Sequence, residues 1–354
     1  MKKTSKIMSL VLAGAMVLSM TACAGNTAET TSAAAKTQET EADTASKAEE
    51  TTGAEASESE TAAKAEGTTY KIGVLQLVQH TALDADIDGF IAALDDAGIA
   101  YEVDQQNASG DQSSCQTVAS EFANEKKDLI LAIATPAAQA MVGAVEDTPV
   151  LITAVTDPAE SGLVDTNEKP GANVTGTSDL TPVKEQIDLL KQLVPEAKTV
   201  GVLYCSAESN SKIQADMAKE AIAAAGMESK EYTVSSSNEI QTVVQSMVGA
   251  VDAVYAPTDN VIAAGMATVG MVAGDNNLPV ICGEAGMVQN GGLATYGIDY
   301  YQLGYMTGQQ AVKILTEGAS PADMPIEYLP AEKCELTVNE ETAQTLGIDV
   351  SGLE

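Results

Sequence analysis

Arginine is missing from all 354 residues, so each of the 18 basic side chains is a lysine. Tryptophan is also missing, phenylalanine occurs only at Phe90 and Phe122, and the single histidine is His80. Each shortage closes a functional class. Nucleic-acid binding needs Lys and Arg to neutralise phosphates, whereas here 51 acidic residues give a net charge of -33. Five cysteines without a C-x-x-C pair, beside one His, do not make a structural zinc site. Any nucleophile–histidine unit would have to use His80, and no Gly-x-Ser-x-Gly elbow, Walker A loop or dinucleotide Gly-rich loop is present. The expectation is a protein without catalytic residues, cofactor or metal, which binds rather than transforms.

The one notable hydrophobic run, residues 7–18, is too short to span a bilayer, which takes about 20 residues. Lys2, Lys3 and Lys6 precede it and Ala22-Cys23 follow, the layout of a secretory signal peptide over residues 1–22. Leu18-Ser19-Met20-Thr21-Ala22-Cys23 resembles a bacterial lipobox, which would make Cys23 a lipidated first residue anchored to the outer face of the cell membrane. A plain signal peptide with an incidental Cys is the alternative. Residues 23–67 are mostly Ala, Thr, Ser and Glu, with three Lys and no large apolar side chain, and read as a disordered acidic linker.

The remainder repeats itself once, with a period of roughly 125 to 130 residues that suits two similar lobes. Lys71-Ile72-Gly73-Val74-Leu75 opens the first copy and Thr199-Val200-Gly201-Val202-Leu203 the second. An amphipathic helix follows each strand. Leu83, Ile87, Phe90, Ile91 and Leu94 share one face before Gly98; Ile213, Met217 and Ile222 are expected to do the same before Gly226. Strands at 128–133 and 252–256, then at 149–152 and 279–282, complete the correspondence. Continuous apolar strands alternating with helices imply α/β lobes, each a doubly wound parallel sheet covered on both faces.

In such sheets ligands bind beyond the strands' carboxyl ends. The loops there carry Gln79, His80, Thr135, Thr156, Asp157, Ser206, Asn210, Thr258, Asp259 and Glu284, short polar groups suited to a small polar ligand between the lobes. Thr135, Thr258 and Asp259 could equally be helix N-caps, and Asp157 before Pro158 a turn former. Cys205 and Cys282, both at strand ends, could pair or remain free thiols.

Gly73-Val74-Leu75-Gln76, His80-Thr81-Ala82-Leu83-Asp84, Ala134-Thr135-Pro136-Ala137-Ala138-Gln139, Val155-Thr156-Asp157-Pro158, Asn173 to Asp179 and Ala294 to Tyr300 together resemble the ABC-transporter substrate-binding lipoproteins linked to tryptophan and tyrosine uptake, which have the type I periplasmic-binding-protein fold. The resemblance covers residues 70 to 350. One departure is Gln79, where the family often has an acidic residue before the His. The resemblance implies two lobes joined by a hinge, a monomer that delivers an amino acid, often aromatic, to a membrane permease. It places crossings at Gly176 to Asp179, at Gly297 to Tyr300, and near Met324 to Glu327. Lobe one would then be 68–177 with 299–325, and lobe two 178–298 with 326–354. Gly176 and Gly297 would supply the hinge freedom.

Without Arg, a ligand carboxylate would rest on Thr135, Ser178 and helix N-terminal amides. Asp259 and Glu284 would meet an ammonium. Tyr296 and Tyr300 would offer aromatic surface, while Tyr255, inside a strand, belongs to the core. A nucleoside, sugar or short peptide, or a sensory rather than transport role, fits the same fold.

Overall fold

The computed structural model describes residues 68–353, so the expected leader, Cys23 and the acidic linker lie outside the described residues. The first lobe's sheet contains β1 (Tyr70–Gln76), β2 (Tyr101–Asn107), β3 (Leu129–Ile133), β4 (Val150–Val155), β5 (Val174–Ser178) and the short β11 (Glu327–Tyr328), ordered β11-β5-β4-β3-β1-β2 with all pairs parallel. The second contains β6 (Thr199–Cys205), β7 (Glu228–Val234), β8 (Ala253–Ala256), β9 (Val280–Cys282), β10 (Ala294–Gly297) and β12 (Glu335–Val338), ordered β12-β10-β9-β8-β6-β7. Only β12, paired to β10, runs antiparallel among the described strands. The two orders match position for position, which is the structural form of the sequence repeat.

Sequence explains which strands are central. Every residue of Leu129–Ile133 is buried, as a strand covered on both faces requires, while β2 and β7 carry exposed polar residues at the sheet edges. The first lobe's helices are α1 (Thr81–Asp96), α2 (Gln112–Glu125), α3 (Thr135–Ala144) and α10 (Tyr300–Glu317). The second lobe has α4 (Val183–Leu193), α5 (Ser209–Ala224), α6 (Ile240–Met247), α7 (Asn260–Ala264), α8 (Met266–Asp275), α9 (Ala285–Gln289) and α11 (Glu340–Leu346). Gly98 and Gly226 follow α1 and α5 at φ of 67° and 75°, the left-handed stops their sequences predict. The face expected of α5 is different, however. It buries Gln214, Ala215, Ala218 and Ile222, and Met217 is 38% exposed, because small side chains and one amide let this helix lie close to its neighbours.

One core fills the first lobe, and two clusters fill the two sides of the second lobe's sheet. After β5 the chain enters α4 in the second lobe, and after β10 it returns as α10, whose Leu303 and Ala311 join the first core. The third crossing lies later than the sequence suggests. Glu327 and Tyr328 still pair with Thr177 and Ser178, covering the open edge of β5, and the chain reaches the second sheet only at Glu335.

α1 and α10 pack with their backbones in contact, and a Cβ at Gly304 would overlap the Asp86 carbonyl oxygen. Gly176 lies within β5 at φ 151°, where a Cβ would overlap the Ile152 carbonyl oxygen, so strand proximity accounts for this glycine. Gly297, ending β10, would take a Cβ at an ordinary 3.4 Å contact. Cys115, Cys205, Cys282 and Cys334 are free thiols. Burial pushes the Cys205 thiol up to about 12, which leaves it protonated and unreactive at neutral pH. No helix among the described residues is long and apolar enough to cross a membrane.

Candidate functional site

The carboxyl ends of both sheets face one another across a cleft, and the lobes touch there. The His80 Nε2–H donates to Asn260 Oδ1 at 3.3 Å, Gln214 Nε2 donates to Thr156 Oγ1 at 3.0 Å, and Gln112 Nε2 donates to the Ala207 carbonyl at 3.2 Å. Between them is a small cavity, with room in this closed form for about one water molecule. His80, Leu83, Ala154, Asp179 and Tyr300 form its first-lobe wall; Asn210, Thr258, Asp259, Asn260, Ala263 and Glu284 form the other. Ala154 and the nearby Ala134, at the ends of β4 and β3, hold positive φ values of 52° and 78°. Such backbone costs about 1–3 kcal/mol and collects at binding sites.

Three carboxyls line this space, and a fourth, Glu208, lies behind Asn210 and Asn260. Asp259 begins α7 and accepts the backbone N–H groups of Ile262 at 2.8 Å and Cys205 at 2.5 Å. Glu284 begins α9 and accepts those of Met287 at 2.8 Å and Gly286 at 2.5 Å. Glu208 accepts Asn260 Nδ2 at 2.6 Å and the Val261 N–H at 3.3 Å. Asp179 is held differently: its Oδ2 accepts the Tyr300 hydroxyl at 2.8 Å, the Thr156 hydroxyl lies near the carboxyl, and no hydrogen bond of good geometry reaches the buried Oδ1. Burial pushes Asp179 up to about 6 and Glu284 up to about 7, and burial with the neighbouring Asp259 charge pushes Glu208 up to about 8. Burial also raises Asp259 and lowers His80. Since His80 Nε2 donates, its Nδ1 is a bare acceptor, and it too has no partner.

Of the residues singled out from sequence, His80, Asn210, Thr258, Asp259, Glu284 and Tyr300 line this cavity. Gln79 is exposed and bonds Asp84. The Ser178 hydroxyl donates to the Thr156 carbonyl and accepts the Leu180 N–H, so its capacity is spent within its own turn. Asp157 accepts the N–H groups of Ala159 and Glu160 and the Asn167 amide, the turn-forming alternative. Tyr296 packs against the second-lobe core, and its carbonyl accepts Gln186 Nε2 at 2.7 Å. Thr135 is buried at the start of α3 with an unpartnered hydroxyl, outside the cavity wall. Asp179, Glu208 and Asn260 were not singled out as ligand contacts. Asp179 lies one residue past β5, where sequence suggests only a connection; Asn260 directly follows a helix-capping Asp and reads as part of that cap.

The family model for ABC transporter substrate binding proteins matches residues 71–352. A Clostridioides difficile (strain R20291) protein named tyrosine-binding protein is 40% identical over 351 residues, 98% of this chain and 93% of that one. Among solved structures, an ABC domain from Streptococcus pneumonia in complex with L-Trp is 39% identical, with a TM-score of 0.78 over 80% of this chain and 97% of its own. The ligand-free, open structure of a Clostridium difficile substrate binding protein with adhesive properties is 46% identical over 81% of this chain and 97% of its own, with a TM-score of 0.62. The paired sheets, the cleft between them and these likenesses agree, and the chain belongs to the ABC transporter substrate binding protein family.

Proposed function

We propose that this protein captures an aromatic amino acid, tyrosine or tryptophan, between its lobes and delivers it to the permease of an ABC importer. The observation that carries this is the closed cleft, in which buried polar atoms surround a cavity without being used up by the protein. The shape supports it too. This chain is closer in sequence to the ligand-free, open Clostridium difficile structure but closer in shape to the L-Trp complex, as expected of lobes closed over a ligand site. Leu83, Ala154 and Ala263 offer apolar wall to a ring. An adjoining groove along Val78, Pro136 and Val261 shares Asn260 with the cavity and would take the ring's far edge. The ligand carboxylate would reach beyond the cavity wall to Thr135, whose buried hydroxyl has no partner, and to the amides that open α3. The division of lobes would let residues 176–179, 297–300 and 329–334 act as the hinge, with Cys23 lipidated, the acidic linker as tether, and the protein a monomer outside the membrane.

The test is a thermal-shift and calorimetric screen of protein refolded from denaturant, which strips carried-over ligand, against the twenty amino acids, nucleosides and sugars. A ligand at a hundred times its Kd adds about 2.7 kcal/mol to stability. Shifts confined to tyrosine, tryptophan or phenylalanine support the reading; a shift with a sugar or nucleoside and none with these three overturns it.

A further inference from the structure

Resting on the reading of an amino-acid ligand, we propose that Asp179 is the seat of the ligand's ammonium group, with Tyr300 as its positioning residue. Three residues of the cavity wall hold a buried polar atom with no partner: Asp179 Oδ1, Asn210 Oδ1 and His80 Nδ1. All three are acceptors. The Asn210 orientation is fixed by its Nδ2 group, which faces only acceptors: Glu208 Oε2, Ser211 Oγ and the Thr258 carbonyl. The His80 orientation follows from its donation to Asn260. A cavity whose unsatisfied atoms are all acceptors calls for a ligand that arrives with N–H bonds, and an ammonium has three.

Charge selects Asp179 among the carboxyls in the wall and just behind it. Asp259 and Glu284 each spend their oxygens on two backbone N–H groups at helix starts, and Glu208 on side-chain amides and one N–H. Asp179 is 5% exposed, holds one oxygen against Tyr300 and leaves the other free. No arginine exists in the chain, and none of the lysine ion pairs among the described residues involves these four groups. The positive charge that would balance Asp179 therefore comes from the ligand. Tyr300, fixed by burial, donates to Oδ2 and so leaves Oδ1 as the unpartnered oxygen of a carboxyl in the cavity wall.

Two series of ligands test this on the wild-type protein by calorimetry: L-tyrosine and L-tryptophan against 3-(4-hydroxyphenyl)propionate and indole-3-propionate, which lack only the amine. Removing one partner of a buried charged pair costs on the order of a hundredfold in affinity, and that loss is expected for both des-amino analogues. Asp179→Asn is expected to lose a similar factor for the amino acids while binding the analogues no worse than wild type. Tyr300→Phe, which frees Oδ2 but keeps the charge, should lose less, on the order of tenfold. Des-amino analogues that bind within threefold of their parents overturn the proposal whether or not the variants fold. If wild type binds neither amino acid, the aromatic reading falls by itself; a ligand then found to carry an amine keeps the assignment of Asp179, and one without an amine overturns it.

Discussion

Ser178 and Asp179 are adjacent, yet the backbone consumes the serine hydroxyl while the aspartate keeps one oxygen free. Their substitutions should separate stability from binding. Ser178→Ala removes the bonds to Thr156 and Leu180 at a buried position, and Asp157→Ala removes three bonds from its loop. Each is expected to cost about 1–2 kcal/mol of stability with ligand affinity unchanged, read from denaturant midpoints and calorimetry. A tenfold loss of affinity in Ser178→Ala, with the midpoint unmoved, would return the hydroxyl to the ligand site. The same contrast shows why the site was only partly legible. Sequence places polar residues at strand ends correctly, because parallel sheets put their loops there, and six of the residues singled out do wall the cavity. It cannot show which polar atoms the backbone has already claimed. Asp259 and Glu284 look like ligand groups and are largely helix caps, whereas Asp179 looks like a connector and carries the free oxygen.

The architecture was more legible among elements than the site was among residues. Uninterrupted apolar runs such as Leu129–Ile133 demand burial on both faces, and the order in which they recur fixes two sheets of one topology. Short or polar elements escape such reasoning. The two-residue β11 pairs through backbone alone, and α5 buries alanines and Gln214 where large apolar residues seemed its natural face. Glycines in α10 are a third example, since Gly304 and Gly308 look unremarkable in sequence but allow α1 and α10 to touch. At Gly304 the obstructing group is the Asp86 backbone, which cannot rotate away. Gly304→Ala should therefore destabilise the protein despite the helix propensity of alanine, by about 1–3 kcal/mol for overpacking. Thermal unfolding checks it, and an unchanged or higher Tm would mean that the two helices slide apart freely.

For the molecule as a whole, closure and protonation are linked through the cleft. Asp179 at about 6, Glu284 at about 7 and Glu208 at about 8, with Asp259 also raised, hold protons in the closed form that they would release in water. Asp179, Asp259 and Glu284 line the cleft with Tyr300 and His80, and Glu208 lies behind Asn210 and Asn260, whereas Asp86, also raised, is buried against Thr153 within the first lobe and does not follow closure. For the carboxyls the closed state binds more protons than the open one between the ordinary carboxylate range and pH 8, so closure without ligand weakens as pH rises through that window. The slope is about 1.4 kcal/mol per pH unit for each proton taken up. His80, lowered by burial, acts in the opposite direction and only as pH falls through its ordinary value near 6.5. The carboxyls outnumber it. Ligand-free protein is thus expected to be closed near pH 5 and to open toward pH 8, seen as a rising radius of gyration in solution scattering. An ammonium on Asp179 takes the place of a proton, so an amino-acid ligand should hold the lobes closed at pH 8. Its affinity should fall about tenfold per pH unit below 6, where proton and ammonium compete for the same oxygen. A radius of gyration that does not change with pH in ligand-free protein would break the link between closure and these carboxyls, and affinity constant from pH 5 to 7.5 would remove Asp179 from the competition.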